Sequence, residues 1–171
     1  MILNLFAVGD VVGEQGVEFL CRHLRSLQKL HDIHFTVVNG ENASGLGILP
    51  RQAKDIYDAG ADVVTLGNHT WNRIQIRNIM DESPWLLRPA NFSSRVPGRG
   101  IGVYEGPRGL RIGVLSLIGR TEMDPNPDNP FTTADRLLRH HDADIWAVDF
   151  HAEATSEKGA LGWYLAGRVQ A

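Results

Sequence analysis

The chain has 171 residues, enough for one α/β domain with a sizeable core and too few for two comfortable ones, so a single domain over 1–171 is expected. A hydrophobic share of 43% and a charged share of 22% are ordinary for a soluble globular protein and exclude disorder as the default. The balance of 17 basic against 20 acidic residues leaves a net charge of −3, which argues against strong nucleic-acid binding; an anionic substrate would need local positive charge such as metal ions. The lone Cys21 cannot form an internal disulfide and lies on the apolar face of an expected helix, which fits a small buried hydrophobe and a reducing cytoplasm. No basic segment precedes Met1-Ile2-Leu3 and no apolar run approaches a membrane-spanning length, so neither export nor membrane insertion is expected.

Ile2 to Val8 forms the first expected strand. Val17, Leu20, Cys21, Leu24 and Leu27 then recur at three- and four-residue steps, the apolar stripe of a helix, with Arg22, Arg25 and Gln28 facing elsewhere. Phe35 to Val38 is a second strand. Pro50 suits the first turn of a helix running from Arg51 to Ala59, which Gly60 stops. Val63 to Leu66 is a third strand, and a less regular helical pattern covers Thr70 to Met80. This alternation is that of βαβ units around a mostly parallel sheet. Beyond Asp81 the pattern shifts to short strands at Trp85 to Arg88, Ile101 to Tyr104 and Arg111 to Leu117. The Gly106-Pro107-Arg108-Gly109 turn between the last two implies an antiparallel hairpin, and so a second sheet packed on the first. Asp124 to Pro130 holds three prolines and must be a loop. A helix through Leu137 and Leu138, a strand from Ile145 to Val148 and a helix near Glu157 to Ala166 follow, and Val169-Gln170-Ala171 would start another strand.

Four polar clusters stand where buried strands stop: Gly9-Asp10, Gly40-Glu41-Asn42, Gly67-Asn68-His69 and Asp149-Phe150-His151. Strands of a parallel sheet deliver such ends to a common edge, so carboxylate, amide and imidazole are expected to converge on one metal site. Each cluster also has a plainer explanation. Asp10 stands just ahead of a helix and would equally cap it by accepting free N–H groups. A dinucleotide-binding loop fits less well, because Gly9-Asp10-Val11-Val12-Gly13 lacks the Gly-x-Gly-x-x-Gly spacing and its Asp would repel a pyrophosphate. Glu41 and Asn42 would suit an exposed turn, but Ala43 to Gly47 have too little bulk to hide a Glu, so Glu41 reaches outward, where a carboxylate can bridge two cations. Asn68 and His69 place an amide oxygen beside an imidazole with a reference pKa of about 6.5, suited to protonate a leaving oxygen; ordinary surface hydrogen bonding is the alternative. His151 would suit Mn²⁺, Fe²⁺ or Zn²⁺ better than Mg²⁺, or merely precede a helix. His23, His31, His34, His140 and His141 fall on helix or loop positions and are expected to be solvated.

Together these motifs and the sequence between them resemble the YmdB-like branch of calcineurin-like metallophosphoesterases, from Ile2 to Ala171. The resemblance is carried by Gly9 to Gly13, Asn39-Gly40-Glu41-Asn42-Ala43, Leu66-Gly67-Asn68-His69-Thr70-Trp71, Arg88-Pro89-Ala90-Asn91-Phe92 and the ten residues from Asp149 to Lys158. It implies an α/β/β/α sandwich of two packed sheets, and a phosphodiesterase that acts on 2′,3′-cyclic nucleotides with two divalent metal ions, Fe, Mn or Zn. Carried over by position, it makes Asp10, Glu41, Asn42, Asn68 and His151 metal ligands, with Glu41 bridging, and His69 the catalytic imidazole. Arg88, Asn91 and Arg120 stand near strand ends and would touch phosphate or base, surface ion pairing being the other role open to the arginines. Family members continue past the position of Ala171 into a Gly-Thr-His-Thr-His segment that completes the metal spheres, and then into further strands. The resemblance therefore also implies missing C-terminal strands, poorer metal retention, and unpaired edges that a homo-oligomer would cover. The alternative function is that of a catalytically weak or inactive truncated homologue that binds a nucleotide or a protein partner through the same edge.

Overall fold

Short runs of β-branched and aromatic residues build a parallel sheet in chain order, as seen in the computed structural model, which describes residues 2–171. Its strands are β1 (Leu5–Val8), β2 (Phe35–Asn39), β3 (Val63–Thr65) and β4 (Leu86–Leu87), each pairing in parallel with the next. The second sheet holds β5 (Ile101–Glu105), β6 (Arg111–Ile118) and β7 (Ile145–His151), in that order. β5 and β6 form the expected antiparallel hairpin, whereas β6 and β7 run parallel because a helix crosses between them. The helices are α1 (Gly13–Leu30), α2 (Pro50–Asp58), α3 (Arg77–Met80), α4 (Pro130–His140) and α5 (Thr155–Leu165).

Strand alternation sorts the side chains into layers. Phe35, Val37 and Val63 leave one face of the first sheet to meet Ile112 and Val114 of the second, and these residues with Leu87 form the buried seam between the sheets. Val38 and Val64, on the opposite face, pack against Val17, Leu20 and Leu24 of α1 and Ala53 and Ile56 of α2. Leu115 and Leu117, on the outer face of β6, meet Ala134 of α4 and Leu161 and Leu165 of α5. The result is the expected α/β/β/α sandwich. Each fully buried Leu, Ile, Val or Phe contributes about 1.5–3 kcal/mol of transfer free energy to this arrangement.

The apolar stripe of α1 is buried at Val17, Leu20 and Leu24 as expected, with Cys21 half-buried beside it. Gln28, off that stripe, donates from Nε2 to Thr36 Oγ1 (2.8 Å) and the Gly60 carbonyl (2.7 Å), tying α1 to both following elements. The expected helix from Thr70 to Met80 is broken into 3-10 turns at Asn68–Trp71 and Ile74–Ile76 and the single turn of α3. Thr70 Oγ1 donates to the Gly67 carbonyl at 2.6 Å, which tightens the first turn, and Arg73 between the two is extended. The expected last strand does not form a ladder. Yet Gln170 N donates to the Trp146 carbonyl (2.9 Å) and Val148 N to the Ala171 carbonyl (2.8 Å), so residues 170–171 run along the free edge of β7.

Candidate functional site

The ends of β1, β2 and β3 and the last residue of β7 meet at one edge of the sandwich. Asp10 lies two residues beyond β1 in a left-handed conformation (φ 29°), which an Asp tolerates better than most side chains. Val11 N donates to the Asn39 carbonyl (3.0 Å) and Gly13 N to the Asn42 carbonyl (2.9 Å), stitching this loop to the end of β2. The capping role open to Asp10 is excluded: the residue at the start of α1 is Val12, with no side-chain hydrogen bond to the helix. Asp10 Oδ1 instead accepts from Asn42 Nδ2 at 2.8 Å.

Glu41 departs from the sequence expectation. It does not reach outward but is 1% exposed, at the centre of the cluster. Its Oε1 lies 2.9 Å from His151 Nε2, and its Oε2 accepts the His69 backbone N–H at 3.3 Å. The loop after it hides this carboxylate because Gln52 pulls the loop in: Gln52 Nε2 donates to the Ala43 carbonyl (2.8 Å), while Oε1 accepts from Ser44 Oγ (2.6 Å) and Leu49 N (3.0 Å). Gly67 makes the approach possible, since a Cβ there would stand 2.1 Å from Glu41 Oε2 and 2.8 Å from His151 Cδ2.

His151 is not the residue before a helix but the last of β7, three residues ahead of the Ala154 that opens α5. It shares a face of β7 with Asp149, and Val148 and Phe150 on the other face join the α4–α5 core, so the pleat aims His151 at the first sheet. Its Nε2 is 3.0 Å from Asn68 Oδ1 as well as 2.9 Å from Glu41 Oε1. Both neighbours are acceptors, so this nitrogen donates. Burial alone would lower the His151 pKa; the hydrogen bond and charge of Glu41, with Asp149 and Asp10, outweigh it and raise the value above the usual one. The half-buried His69 completes the group, with Nε2 3.5 Å from Asn68 Nδ2.

Asp10, Glu41, Asn42, Asn68, His69 and His151 are thus brought together from four strand ends. Arg88 and Asn91 are not. Arg88 is buried, its guanidinium donating to the carbonyls of Pro97 (3.0 Å) and Pro89 (2.8 Å), and burial lowers its pKa. Asn91 is buried and bonds both backbone groups of Ile118 and the Asp128 carbonyl. The structure gives both side chains backbone partners. Arg120 is exposed, bonded through Nε to Asn126 Oδ1 at 3.1 Å. Sequence reasoning passed over Asn39, whose Oδ1 accepts from Glu41 N (3.3 Å) and whose Nδ2 reaches Asp149 Oδ2 (3.4 Å). An Asn ending a fully buried strand was the available signal. Of the other histidines, His140 and His141 bond the carbonyls of Arg136 and Leu137 from exposed positions; His34 is half-buried and its Nδ1 accepts the Asn4 N–H.

The donors suit a divalent cation in kind: two carboxylates, an imidazole and two amides. Asn42 Oδ1 is buried with no hydrogen-bond partner, an orphaned oxygen of the sort that a cation would satisfy. Among the described residues no three His, Cys, Asp or Glu side chains form a group able to hold a metal ion, so a cation here would depend on the amides of Asn42 and Asn68 as well.

The two packed sheets are also the architecture of a solved structure, that of a novel phosphatase from Mycoplasma pneumoniae, which superposes with a TM-score of 0.88 at 28% identity over 98% of this chain. The chain belongs to the YmdB-like protein family, whose pattern matches residues 6–171. It is 41% identical, over 99% of its length, to the 2′,3′-cyclic-nucleotide 2′-phosphodiesterase of Bacillus subtilis strain 168. A hypothetical protein from Thermus thermophilus superposes with a TM-score of 0.88 at 37% identity over 96% of this chain. The chain spans 62% of the Mycoplasma pneumoniae protein and 64% of each of the other two. No helix among the described residues is long and apolar enough to cross a membrane.

Proposed function

We propose that the chain carries a metal-dependent phosphodiesterase site acting on small phosphodiesters, 2′,3′-cyclic nucleotides among them. The observation that carries this is the convergence of Asp10, Glu41, Asn68 and His151 from four strand ends, with His69 alongside and the Asn42 oxygen unpaired. Asp10, Asn42, Asn68 and His151 would hold divalent cations around Glu41, and the mixed imidazole and oxygen set favours Mn²⁺, Fe²⁺ or Zn²⁺. When bound, two such ions supply positive charge to phosphate oxygens and make water a stronger nucleophile at neutral pH.

The chain's own residues do the rest. Glu41, buried and fixed by His69 N–H and His151, sets the spacing of the cluster. Gly67 lets Glu41 and His151 approach the backbone, and the 3-10 turn at Asn68–Trp71 carries His69, whose imidazole would give a proton to the departing ribose oxygen.

The test is hydrolysis of a 2′,3′-cyclic nucleotide by residues 1–171 with Mn²⁺ added, metal content being measured on the same samples. His69→Ala should lower turnover about 100-fold or more and leave most of the metal, as expected for loss of general acid catalysis. Asp10→Ala and His151→Ala should lower metal content first. Metal loss from His69→Ala would reverse these roles, and absence of hydrolysis with metal bound would leave a binding module in place of the enzyme.

A further inference from the structure

Next to the cluster lies a cavity of about 440 Å³ that the chemistry above does not use. Trp71 and Phe92 form an aromatic wall, their ring centroids 6.4 Å apart and tilted by 37°. Pro125 and Pro127 contribute further apolar surface, and Ser94 and Asn126 bring polar groups to the lining. Two connections place the cavity beside the reacting groups. Trp71 ends the same four-residue turn that begins with Asn68 and His69. On the other side Asn91, which lines the cavity, bonds both backbone groups of Ile118, the residue paired with His151 in the β6–β7 ladder.

Gly119 and Arg120 connect the two. Gly119 N donates to the His151 carbonyl (2.8 Å), and Arg120 Nε donates to Asn126 Oδ1 (3.1 Å) on the cavity lining. Among the described residues Arg120 forms no ion pair, and Glu157 accepts only from its backbone, so its guanidinium keeps donors for an anionic ligand. An aromatic wall, polar edges and an arginine bonded to the lining match a planar heterocycle joined to a phosphate.

We propose that the Trp71–Phe92 cavity is the nucleobase subsite, holding the base of a cyclic nucleotide while Arg120 faces its phosphate side. This rests on the phosphodiesterase reading and names what sets its substrate preference. Stacking against aromatic side chains tolerates any base, so the subsite favours base-bearing over base-free diesters without strong choice among bases.

Two substrates test it: a nucleoside 2′,3′-cyclic phosphate, and methyl riboside 2,3-cyclic phosphate, which has the ribose ring and no base. The ratio of their kcat/KM values should fall about fivefold or more in Trp71→Leu, the loss expected of one stacking partner. Ser94→Phe fills the mouth of the cavity from an exposed position, leaves the core untouched, and should lower the same ratio. Binding of adenosine, followed by isothermal titration calorimetry, should be lost in Trp71→Leu and kept in Trp163→Leu, whose ring is 85% exposed. If both substrates turn over and neither variant changes the ratio, the subsite is wrong and the enzyme reading stands. If neither is hydrolysed but adenosine binds and both cavity variants abolish it, the subsite stands and the enzyme reading fails. Absence of saturable adenosine binding at millimolar concentration in a chain that hydrolyses neither substrate would overturn both.

Discussion

Glu41 would be an expensive residue to bury without partners, and its partners define the site. A buried carboxylate needs compensating donors, and Glu41 has the His151 ring and the His69 backbone N–H. Gly67 is the residue that permits this approach, so Gly67→Ala should push Glu41 and His151 apart. The variant should cost about 1–3 kcal/mol of stability, as overpacking does, and reduce metal binding in the same preparation; unchanged metal binding would show that the contact is not needed. A second residue reports on electrostatics away from the site. Burial raises the Asp62 pKa despite hydrogen bonds from Thr36 N–H and its own backbone. A raised carboxylate pKa favours the protonated form in the fold, so the contribution is present at low pH and is lost as pH rises through the raised value. Removing that titration in Asp62→Asn should make the variant progressively more stable relative to the parent as pH rises from the ordinary carboxylate range through the raised value. Urea unfolding at several pH values measures the slope, and a flat or falling difference would contradict it.

At the level of elements, the connections decide what the strands can present. The loop after β6 is held by Asn91, which satisfies both backbone groups of Ile118 and the Asp128 carbonyl. Asn91→Ala would leave buried donors and acceptors unpaired at about 1–3 kcal/mol for each group, so a loss of several kcal/mol in chemical denaturation is expected. A cost within the range of a surface substitution would show that water replaces the amide. The segment after β4 meets the residue leading into β5 equally closely: a Cβ on Gly100 would stand 2.2 Å from Ala90 Cα, backbone that cannot swing aside. The hairpin between β5 and β6 was legible from the Gly106 to Gly109 turn, and the start and stop of α2 from Pro50 and Gly60. The broken helix from Thr70 to Met80 was not legible, because its fracture depends on a hydrogen bond from Thr70 to Gly67 and on an extended Arg73.

For the whole molecule, the seam between the sheets carries both stability and site geometry. Phe35 is 1% exposed between β2 and the second sheet, and Phe35→Ala should cost about 3–5 kcal/mol, a large share of the 5–15 kcal/mol typical of a domain. Because the Glu41–His151 contact spans that seam, the same variant should weaken metal binding though neither residue is touched; full retention would mean that the sheets hold their spacing without it. By itself the sequence determined the layers: the short apolar runs Phe35 to Val38 and Val63 to Leu66 and the helical period of Val17, Leu20 and Leu24 leave few other ways to bury apolar faces. It also named Asp10, Glu41, Asn42, Asn68, His69 and His151, since polar residues cluster where buried strands stop. Only the tertiary structure decided that Glu41 turns inward, that Arg88 and Asn91 are occupied by backbone, and that His151 belongs to a strand. Those outcomes rest on contacts between residues as far apart as Glu41 and His151, and a local pattern carries no record of which distant atom will come within hydrogen-bonding reach.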